Sequence, residues 1–185
     1  MKRVLISVTD KAGIEKFGAL IKFGWDIIST GKTAKKLIEY NIPCTLIEEI
    51  TKFPEMMDGR LKTLHPNIFG GILADHSNPE HMMAIKEKGI EAIDIVVVNL
   101  YDFKSKPGIE NIDIGGPSLI RAAAKNHNSV TVVVDPDDYD LVISEIEDFA
   151  NICLDTRRRL ALKAFELTES YDHMIVAWLI KEIDK

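Results

Sequence analysis

The residues best suited to chemistry are concentrated in one stretch of the chain, Phe53–Ala74. It contains Arg60, Lys62, Thr63 and His65 within six positions, flanked by glycine and proline. Long irregular segments inside compact domains are usually functional or disordered, and this one has too many apolar side chains for disorder. We therefore interpret Phe53–Ala74, the cationic loop, as an ordered binding segment for an anion.

Two polar turns offer the same kind of chemistry earlier in the chain. Thr9-Asp10-Lys11 follows the apolar run Val4–Val8, and Thr30-Gly31-Lys32-Thr33 follows the run Trp25–Ser29. Each turn leads into a helix, where free N–H groups and the helix dipole favour an anion, and each offers a lysine and a hydroxyl. Ordinary helix capping is the alternative for any single turn. The two turns and the cationic loop together predict a phosphate site.

A second long connection, Tyr101–Pro117, supplies the acid that the cationic loop lacks. Asp113 precedes Gly115-Gly116-Pro117, which we interpret as a tight turn before a helix over Ser118–Asn126. On that helix Lys125 has two interpretations: a catalytic cation, or a solvated cation that complements the helix dipole.

The elements that position these residues alternate between strand and helix. Predicted strands are Val4–Val8, Trp25–Ser29, Pro43–Ile47, Ile93–Leu100 and Val130–Val134. Predicted helices are Ile14–Ile21, Ala34–Tyr40, Pro79–Lys88, Ser118–Asn126, one beginning at Asp135-Pro136, and Asp155–Ile183. This order predicts an α/β fold, a three-layer doubly wound parallel sheet over residues 1–150 with a C-terminal helical extension over 151–185. Ligands of such sheets bind at the carboxyl ends of the strands, where the polar turns lie.

Composition narrows the class of protein. A chain of 185 residues with a formal charge of −6 fits one domain and argues against nucleic-acid binding. The initial apolar run is too short for a signal peptide, and no run reaches the roughly 18 apolar residues of a membrane span. The two cysteines, Cys44 and Cys153, lie in apolar settings that suggest buried thiols in a reducing compartment, so we expect a cytoplasmic protein.

Several familiar motifs are incomplete. Thr30–Thr33 resembles the end of a P-loop, but Asp26 stands where the first glycine is required. Asp135, Asp137 and Asp138 lack the pattern of a calcium loop, and the histidines have no metal-ligand spacing. We therefore expect no metal.

Longer motifs carry a family resemblance. They are LISVTDKAGI, FPEMMDGRLKTLHPNIFGGILA, VVVNLY, NIDIGGPSLIRAAAKNH and RRRLALKAFELTESYDHMI. Across nearly the whole chain they resemble the IMP cyclohydrolase domain of the bifunctional AICAR transformylase/IMP cyclohydrolase, of the methylglyoxal-synthase-like group. The resemblance implies a cyclic amidine hydrolase working in the ring-closing direction of purine biosynthesis, converting the formyl ribotide (FAICAR) to IMP without a cofactor.

The resemblance also implies roles for individual residues. The implied catalytic residues are Lys125 as proton donor and acceptor, Asp113 against the reacting amide, and Lys62 and Tyr101 at the formyl oxygen. The implied nucleotide-binding residues are Thr9, Asp10, Lys11, Thr30, Gly31, Lys32, Thr33, Arg60, Leu61, Lys62, Thr63, Val98, Asn99, Asp113 and Ile114. His65 has no matching role, and we expect it to order the turn with Pro66.

The sequence departs from the family at two places. Lys32 replaces a second glycine of the phosphate turn, and the chain stops where the family continues into a transformylase domain. The chain is then either a standalone enzyme, which the ending WLIKEIDK favours, or a part of the bifunctional protein. We expect a homodimer like the family, with a possible separate transformylase partner and no nucleic acid or membrane. Two alternatives remain open: methylglyoxal synthase, and a non-catalytic nucleotide-sensing module of the same fold.

Overall fold

Five parallel strands form the centre of the protein, a computed structural model that describes residues 1–57 and 60–184. The strands are β1 (Arg3–Ser7), β2 (Asp26–Ser29), β3 (Thr45–Leu46), β4 (Ile95–Val98) and β5 (Thr131–Val133). Their order in the sheet is β3-β2-β1-β4-β5, and every neighbouring pair is parallel. The predicted α/β class and doubly wound parallel sheet are confirmed.

Helices cover both faces of this sheet. The α-helices are α1 (Gly31–Glu39), α2 (Ile47–Thr51), α3 (Pro66–Leu73), α4 (Pro79–Glu87), α5 (Gly115–Lys125), α6 (Tyr139–Phe149) and α7 (Leu154–Ile183). Short 3-10 helices span Ile14–Phe23, Ile109–Asn111 and Pro136–Asp138.

The strands are continuously apolar because both faces of the sheet are buried. Along β1, Val4 and Ile6 join the core under the first 3-10 helix and α6, whereas Leu5 joins the core under α3 and α5. A parallel sheet covered on both sides has no solvated face, so its strands do not alternate with polar residues. The long helix α7 packs along α5 and β5. The proposed division at residue 150 remains a prediction.

Two predicted elements differ clearly in type or extent from those observed. The segment Ile14–Phe23 is a 3-10 helix, and glycines with positive φ, Gly13 and Gly24, lie at its two ends. The strand predicted over Pro43–Ile47 is only Thr45–Leu46, because the chain turns at once into α2.

The Gly115-Gly116-Pro117 sequence was wrongly interpreted as a turn before a helix. These residues are the first turn of α5 itself. Proline is tolerated there because the first N–H groups of a helix have no intrahelical acceptor. As a result, Asp113 lies directly at the N-terminus of α5.

The cationic loop is also more ordered than expected, because its second half forms α3. His65 is the N-cap of this helix: its Nδ1 accepts a hydrogen bond from the Asn67 amide at 3.1 Å, and Pro66 occupies the first helical position. The expectation that His65 orders the turn with Pro66 is confirmed. The two thiols differ from expectation, since Cys44 is only partly buried and Cys153 is exposed.

The topology fixes where a ligand can bind. The chain runs from β1 outwards to β2 and β3, then crosses back so that β4 pairs with the other side of β1. The carboxyl ends of β1 and β4 therefore form the switch point of the sheet, where the helices diverge and leave a crevice.

Candidate functional site

A cleft of about 970 Å³ opens at this switch point. Its walls come from the turns after β1, β2 and β4, from the cationic loop, and from the second long connection with the start of α5. The volume suits a ligand of nucleotide size.

The turn between β2 and α1 presents backbone N–H groups to the cleft. The Thr33 and Ala34 amides bond to the Thr30 carbonyl, at 2.9 and 3.1 Å, and among the described residues the Gly31 and Lys32 amides have no such acceptor. Free amides at the start of a helix bind anions.

Hydroxyl groups fix the position of this turn. Thr33 Oγ1 donates to the Val8 carbonyl at 3.0 Å and accepts from the Val8 amide at 3.2 Å, while the Ser7 and Thr30 hydroxyls lie 2.9 Å apart. Thr33 thus ties the start of α1 to the end of β1. Both the hydroxyl and the amide of Thr33 are therefore bonded within the fold, and Thr33 supports the turn that carries the Gly31 and Lys32 amides.

Two lysines, Lys11 and Lys32, line the cleft. Lys11 Nζ donates to the carbonyls of Val8 and Thr9, both at 3.0 Å, which holds the amine in place. The pKa of Lys11 is lowered, first by burial and then by repulsion from Lys32, while Asp10 opposes the shift. Two like charges that line an open cleft favour a bound anion.

The first half of the cationic loop contains an antiparallel bridge. Met56 and Leu61 exchange backbone hydrogen bonds at 3.1 and 3.3 Å, and this bridge places Lys62 beside α1. Lys62 pairs with Glu55 at 3.1 Å, and a Cβ at Gly31 would lie 3.2 Å from the Lys62 amine. Lys62 is therefore close to the free amides of α1.

The two long connections meet at the mouth of the cleft. Arg60 forms an exposed ion pair with Glu110, which lies in the 3-10 turn Ile109–Asn111. Thr63 is buried, and a Cβ at Gly115 would lie 3.2 Å from its hydroxyl. The cationic loop is thus joined to the start of α5 as well.

Asp113 is the acidic residue of the cleft that lies at the start of α5. Its Oδ1 accepts a hydrogen bond from the Gly116 amide at 2.8 Å, and a Cβ at Gly116 would lie 2.5 Å from its Oδ2, so glycine is required there. Burial raises the pKa of Asp113, although hydrogen bonds from the Gly116 and Gly115 amides oppose the shift. A carboxylate with a raised pKa is a better proton acceptor than an ordinary aspartate.

The charge of the cleft is opposite to that of the chain. Its lining includes five cationic side chains and three acidic ones, an excess of two positive charges in a chain of net charge −6. The cations are Lys11, Lys32, Lys35, Arg60 and Lys62, and the acids are Glu55, Glu110 and Asp113. This excess of two positive charges would balance the two negative charges of a phosphate monoester dianion.

Most residues expected from the sequence line this cleft together. They are Thr9, Lys11, Thr30, Gly31, Lys32, Thr33, Arg60, Lys62, Thr63, Val98, Asn99, Tyr101, Asp113 and Ile114. Leu61 lies in the antiparallel bridge with Met56. Asp10 lines a neighbouring cleft. The side-chain amide of Asn99 accepts hydrogen bonds from the Thr9 and Asp10 backbone amides and donates one to the Asp10 carbonyl.

Lys125 is not brought into the cleft. It is exposed and occupies the last position of α5, whereas Asp113 lies just before the first. Ten residue steps of helix separate Gly115 from Lys125, or about 15 Å at 1.5 Å per residue. Within one copy of the chain the structure places these two predicted catalytic residues at opposite ends of α5.

Sequence reasoning missed five polar residues of the lining: Ser7, Lys35, Glu55, Glu110 and Asn111. Lys35 follows Lys32 by three positions, so helical periodicity places both on one face of α1. Nothing in the sequence pattern pointed to Ser7 or to the acids that pair with Lys62 and Arg60.

Sheet order and cleft position define the class, an open doubly wound α/β domain with a ligand cleft at its switch point. The family model described as the MGS-like domain matches residues 13–128, and the chain belongs to that family. A second model, described as the AICARFT/IMPCHase bienzyme, matches residues 123–185.

Individual proteins are similar over almost the whole chain. The bifunctional purine biosynthesis protein PurH of Streptococcus uberis is 53% identical over 192 aligned residues, and that of Streptococcus agalactiae is 52% identical. These matches cover 98% of this chain but 37% of the relatives, so the chain spans little more than a third of their length. The crystal structure of ForH matches with a TM-score of 0.86 and 31% identity, covering 95% of each chain.

Two features are absent from the part of the chain that the structure describes. Residues 1–57 and 60–184 contain no group of three or more His, Cys, Asp or Glu side chains placed to hold a metal ion. None of the helices in those ranges is long and apolar enough to cross a membrane.

Proposed function

We propose that this chain is an IMP cyclohydrolase, which closes the ring of 5-formamidoimidazole-4-carboxamide ribotide to give IMP and water. The observation that carries the proposal is the cleft itself, where the cationic turn of α1 and a carboxyl of raised pKa face one ligand-sized space. The PurH relatives are named for purine biosynthesis, and the bienzyme model matches the C-terminal third of the chain.

In this proposal the phosphate binds at the two polar turns. The residues assigned to it are Thr9, Lys11, Thr30, Gly31, Lys32 and Thr33. The residues assigned to the ribose and base are Asp10, Arg60, Leu61, Thr63, Val98, Asn99 and Ile114. The excess of two positive charges in the cleft supports a dianionic ligand.

The proposed chemistry begins with the carboxamide nitrogen, which attacks the formyl carbon. Asp113 takes a proton from this nitrogen as the C–N bond forms, because an amide nitrogen is a poor nucleophile. Lys62 and Tyr101 donate hydrogen bonds to the formyl oxygen as negative charge develops on it. That oxygen leaves as water, carrying one proton from the carboxamide nitrogen and one from the formamide nitrogen.

The direct test is incubation of the purified chain with the formyl ribotide, followed by chromatographic detection of IMP. We expect IMP to appear in proportion to enzyme, and the Asp113→Asn variant from a parallel preparation controls for contaminating cyclohydrolase. Equal rates in both preparations, or no IMP from either, would refute the proposal.

Methylglyoxal synthase is the second candidate, because the MGS-like model matches most of the chain. It predicts methylglyoxal and phosphate from dihydroxyacetone phosphate and no IMP from the ribotide. A nucleotide-sensing module predicts IMP binding without turnover of either substrate. The match of residues 123–185 to the bienzyme model favours the cyclohydrolase.

Assembly and location belong to the same proposal. We infer a cytoplasmic homodimer. An exposed apolar stripe on α7, formed by Val176, Leu179, Ile180 and Ile183, supports a protein contact there. Light scattering distinguishes a dimer from a monomer.

Replacement of Lys11 by methionine should mainly weaken nucleotide binding. Lys11 Nζ uses two of its three hydrogens on backbone carbonyls, and the third remains for a phosphate oxygen. We expect the Kd for IMP to rise about tenfold, which is the effect of losing one charge-assisted hydrogen bond. The value of kcat should stay close to that of the wild type. Calorimetric titration with IMP measures the change, and Lys86→Met on α4 is the matched control. A fall in kcat alone would place the phosphate elsewhere.

Lys32 should control the pH dependence of this binding. Repulsion from Lys32 lowers the pKa of Lys11, so the Lys11 cation is lost at lower pH than that of an ordinary lysine. Replacement of Lys32 by glycine removes that cause, and the alkaline limb of IMP affinity should move to higher pH. An alkaline limb that stays in place would show that another group titrates there.

Replacement of Glu110 by glutamine should strengthen nucleotide binding. Glu110 holds Arg60 in an exposed ion pair, which a carboxamide oxygen of the base must replace in this proposal. Exposed pairs contribute little stability, up to about 1 kcal/mol, so we expect a several-fold fall in the Kd for IMP. Glu147→Gln on α6 is the control. Weaker binding would mean that Glu110 orders the mouth of the cleft.

A further inference from the structure

The second long connection, which carries Tyr101 and Asp113, is attached to the C-terminal helix α7 at both of its ends. Near its start, the Phe103 ring packs edge-on against the rings of Tyr171 and Trp178, with centroids 6.0 and 5.8 Å apart. Near its end, the Asp113 amide donates to the Tyr171 hydroxyl at 2.7 Å. One side chain of α7, Tyr171, contacts both ends.

The Tyr171 hydroxyl bonds to backbone atoms on both sides of Ile112. It accepts from the Asp113 amide and donates to the Asn111 carbonyl at 3.2 Å. Both bonds go to backbone atoms, so they fix the path of the chain through Asn111, Ile112 and Asp113. The side chains that line the cleft take no part in these two hydrogen bonds.

Tyr171 itself is firmly held. It is 1% exposed, as is Phe103 beside it. The turns of α7 that precede it pack against α5 through Ala161 and Ala164. A phenol fixed by this packing has one orientation available, so its hydroxyl defines a fixed point for the connection.

Two restraints therefore meet at Asp113. The carboxylate is bound by the amides at the N-terminus of α5, and the backbone is bound by α7 through Tyr171. With only the first restraint, we expect the peptide of Asp113 to be freer to rotate, which would expose the carboxyl to water. With both, the carboxyl is held half-buried and directed into the cleft.

We propose that Tyr171 is a positioning residue, through which the C-terminal helix orients the Asp113 carboxyl for proton transfer. The expected effect of Tyr171 on turnover rests on the proposed function. The expected effect of Tyr171 on the position of Asp113 rests on geometry alone. It assigns part of the active-site architecture to a helix that lines none of the described cleft.

The test is Tyr171→Phe, which removes one oxygen and keeps the ring. We expect kcat for ring closure to fall about tenfold, the effect of one lost hydrogen bond on the transition state, with KM little changed. The acid limb of the kcat–pH profile should shift to lower pH, because a more hydrated Asp113 has a lower pKa. Hydrogen exchange of the Asp113 amide should accelerate, since its acceptor is gone.

The matched control is Tyr139→Phe on α6. Tyr139 is also 1% exposed and also packs edge-on against a phenylalanine, Phe17, on the other face of the sheet. Its hydroxyl has no hydrogen-bond partner among the described residues. Loss of this hydroxyl should leave the kcat–pH profile and the Asp113 amide unchanged.

Two readouts separate this proposal from the proposed function. The titration of the Asp113 carboxyl, followed by carbon NMR, and the exchange of its amide need no substrate. If the wild-type chain makes no IMP, the proposed function fails, while a shifted Asp113 titration in Tyr171→Phe still supports positioning. If Tyr171→Phe lowers only the thermal midpoint, leaving kcat, the pH profile and Asp113 as in wild type, the positioning proposal is overturned.

Discussion

Replacement of Asp113 by asparagine should remove almost all ring closure while leaving the protein folded and no less stable at neutral pH. Asparagine keeps the acceptor for the Gly116 amide, so the start of α5 retains its bond. It cannot accept a proton from the carboxamide nitrogen, and loss of a positioned base costs about 10²- to 10⁴-fold in rate. Steady-state kinetics with the formyl ribotide measures the loss in kcat.

The stability of this variant follows from the sign of the pKa shift. Burial raises the pKa of Asp113, so the folded state binds this proton more tightly than the unfolded state does. The folded wild-type protein therefore carries its full penalty for the buried charge above the folded pKa, and loses that penalty as the pH falls towards the unfolded pKa. The variant has no such charge. Its thermal midpoint should equal or exceed that of wild type at neutral pH, and this difference should shrink in acid.

The control is Asp155→Asn, which changes an exposed carboxyl on α7 whose side chain is 92% accessible. It should leave kcat unchanged. An Asp113→Asn variant with wild-type turnover would remove Asp113 from the proposed chemistry. A variant that is less stable at neutral pH would show that hydrogen bonds to the charged carboxylate outweigh its desolvation.

Local patterns predicted the sheet and the phosphate turn because each rests on a short-range rule. Runs such as Val4–Val8 are apolar since both sides of a parallel strand are covered. Thr30–Thr33 marks a helix start with the side chains and free amides that an anion needs. In both cases the determining residues are neighbours in sequence.

Packing decided what these local rules could not. The sequence of α3, PNIFGGIL, has two adjacent glycines that disfavour a helix. Yet a Cβ at Gly71 would lie 2.5 Å from the Glu91 carbonyl, so the close approach of α3 to the chain before β4 requires glycine. The cationic loop therefore contains a helix where propensity indicated irregular structure.

Contacts between distant positions of the chain could not be predicted either, because local sequence rules do not describe packing. Glu110 meets Arg60 across 50 residues, and Tyr171 meets Asp113 across 58. No spacing rule links such positions in a single sequence. The resemblance implies that Asp113 and Lys125 are both catalytic, but it gives no distance between them. In the structure α5 lies between these two residues and holds them apart.

Replacement of Lys62 by methionine should reduce ring closure far more than the same replacement of Lys125. Lys62 lies against the start of α1 and lines the cleft with Asp113 and Tyr101. Removing one donor to a developing oxyanion costs about 10²- to 10³-fold in kcat. Lys125 is exposed at the far end of α5, about 15 Å away along the helix, so Lys125→Met should leave kcat little changed. Comparison of kcat, KM and thermal midpoint for the two variants decides between the lysines.

Neither variant should unfold the protein. Methionine preserves most of the aliphatic stem, and the partner of Lys62, Glu55, is 41% accessible and can be hydrated. A loss of turnover in Lys125→Met with an unchanged thermal midpoint would contradict the geometry of a single copy and support the role that the resemblance implies. In that case Lys125 would have to reach the cleft of a second copy. Mixing Lys125→Met with Asp113→Asn would then restore part of the activity, since a mixed dimer has one cleft with both residues intact, whereas residues acting within one chain could not complement each other.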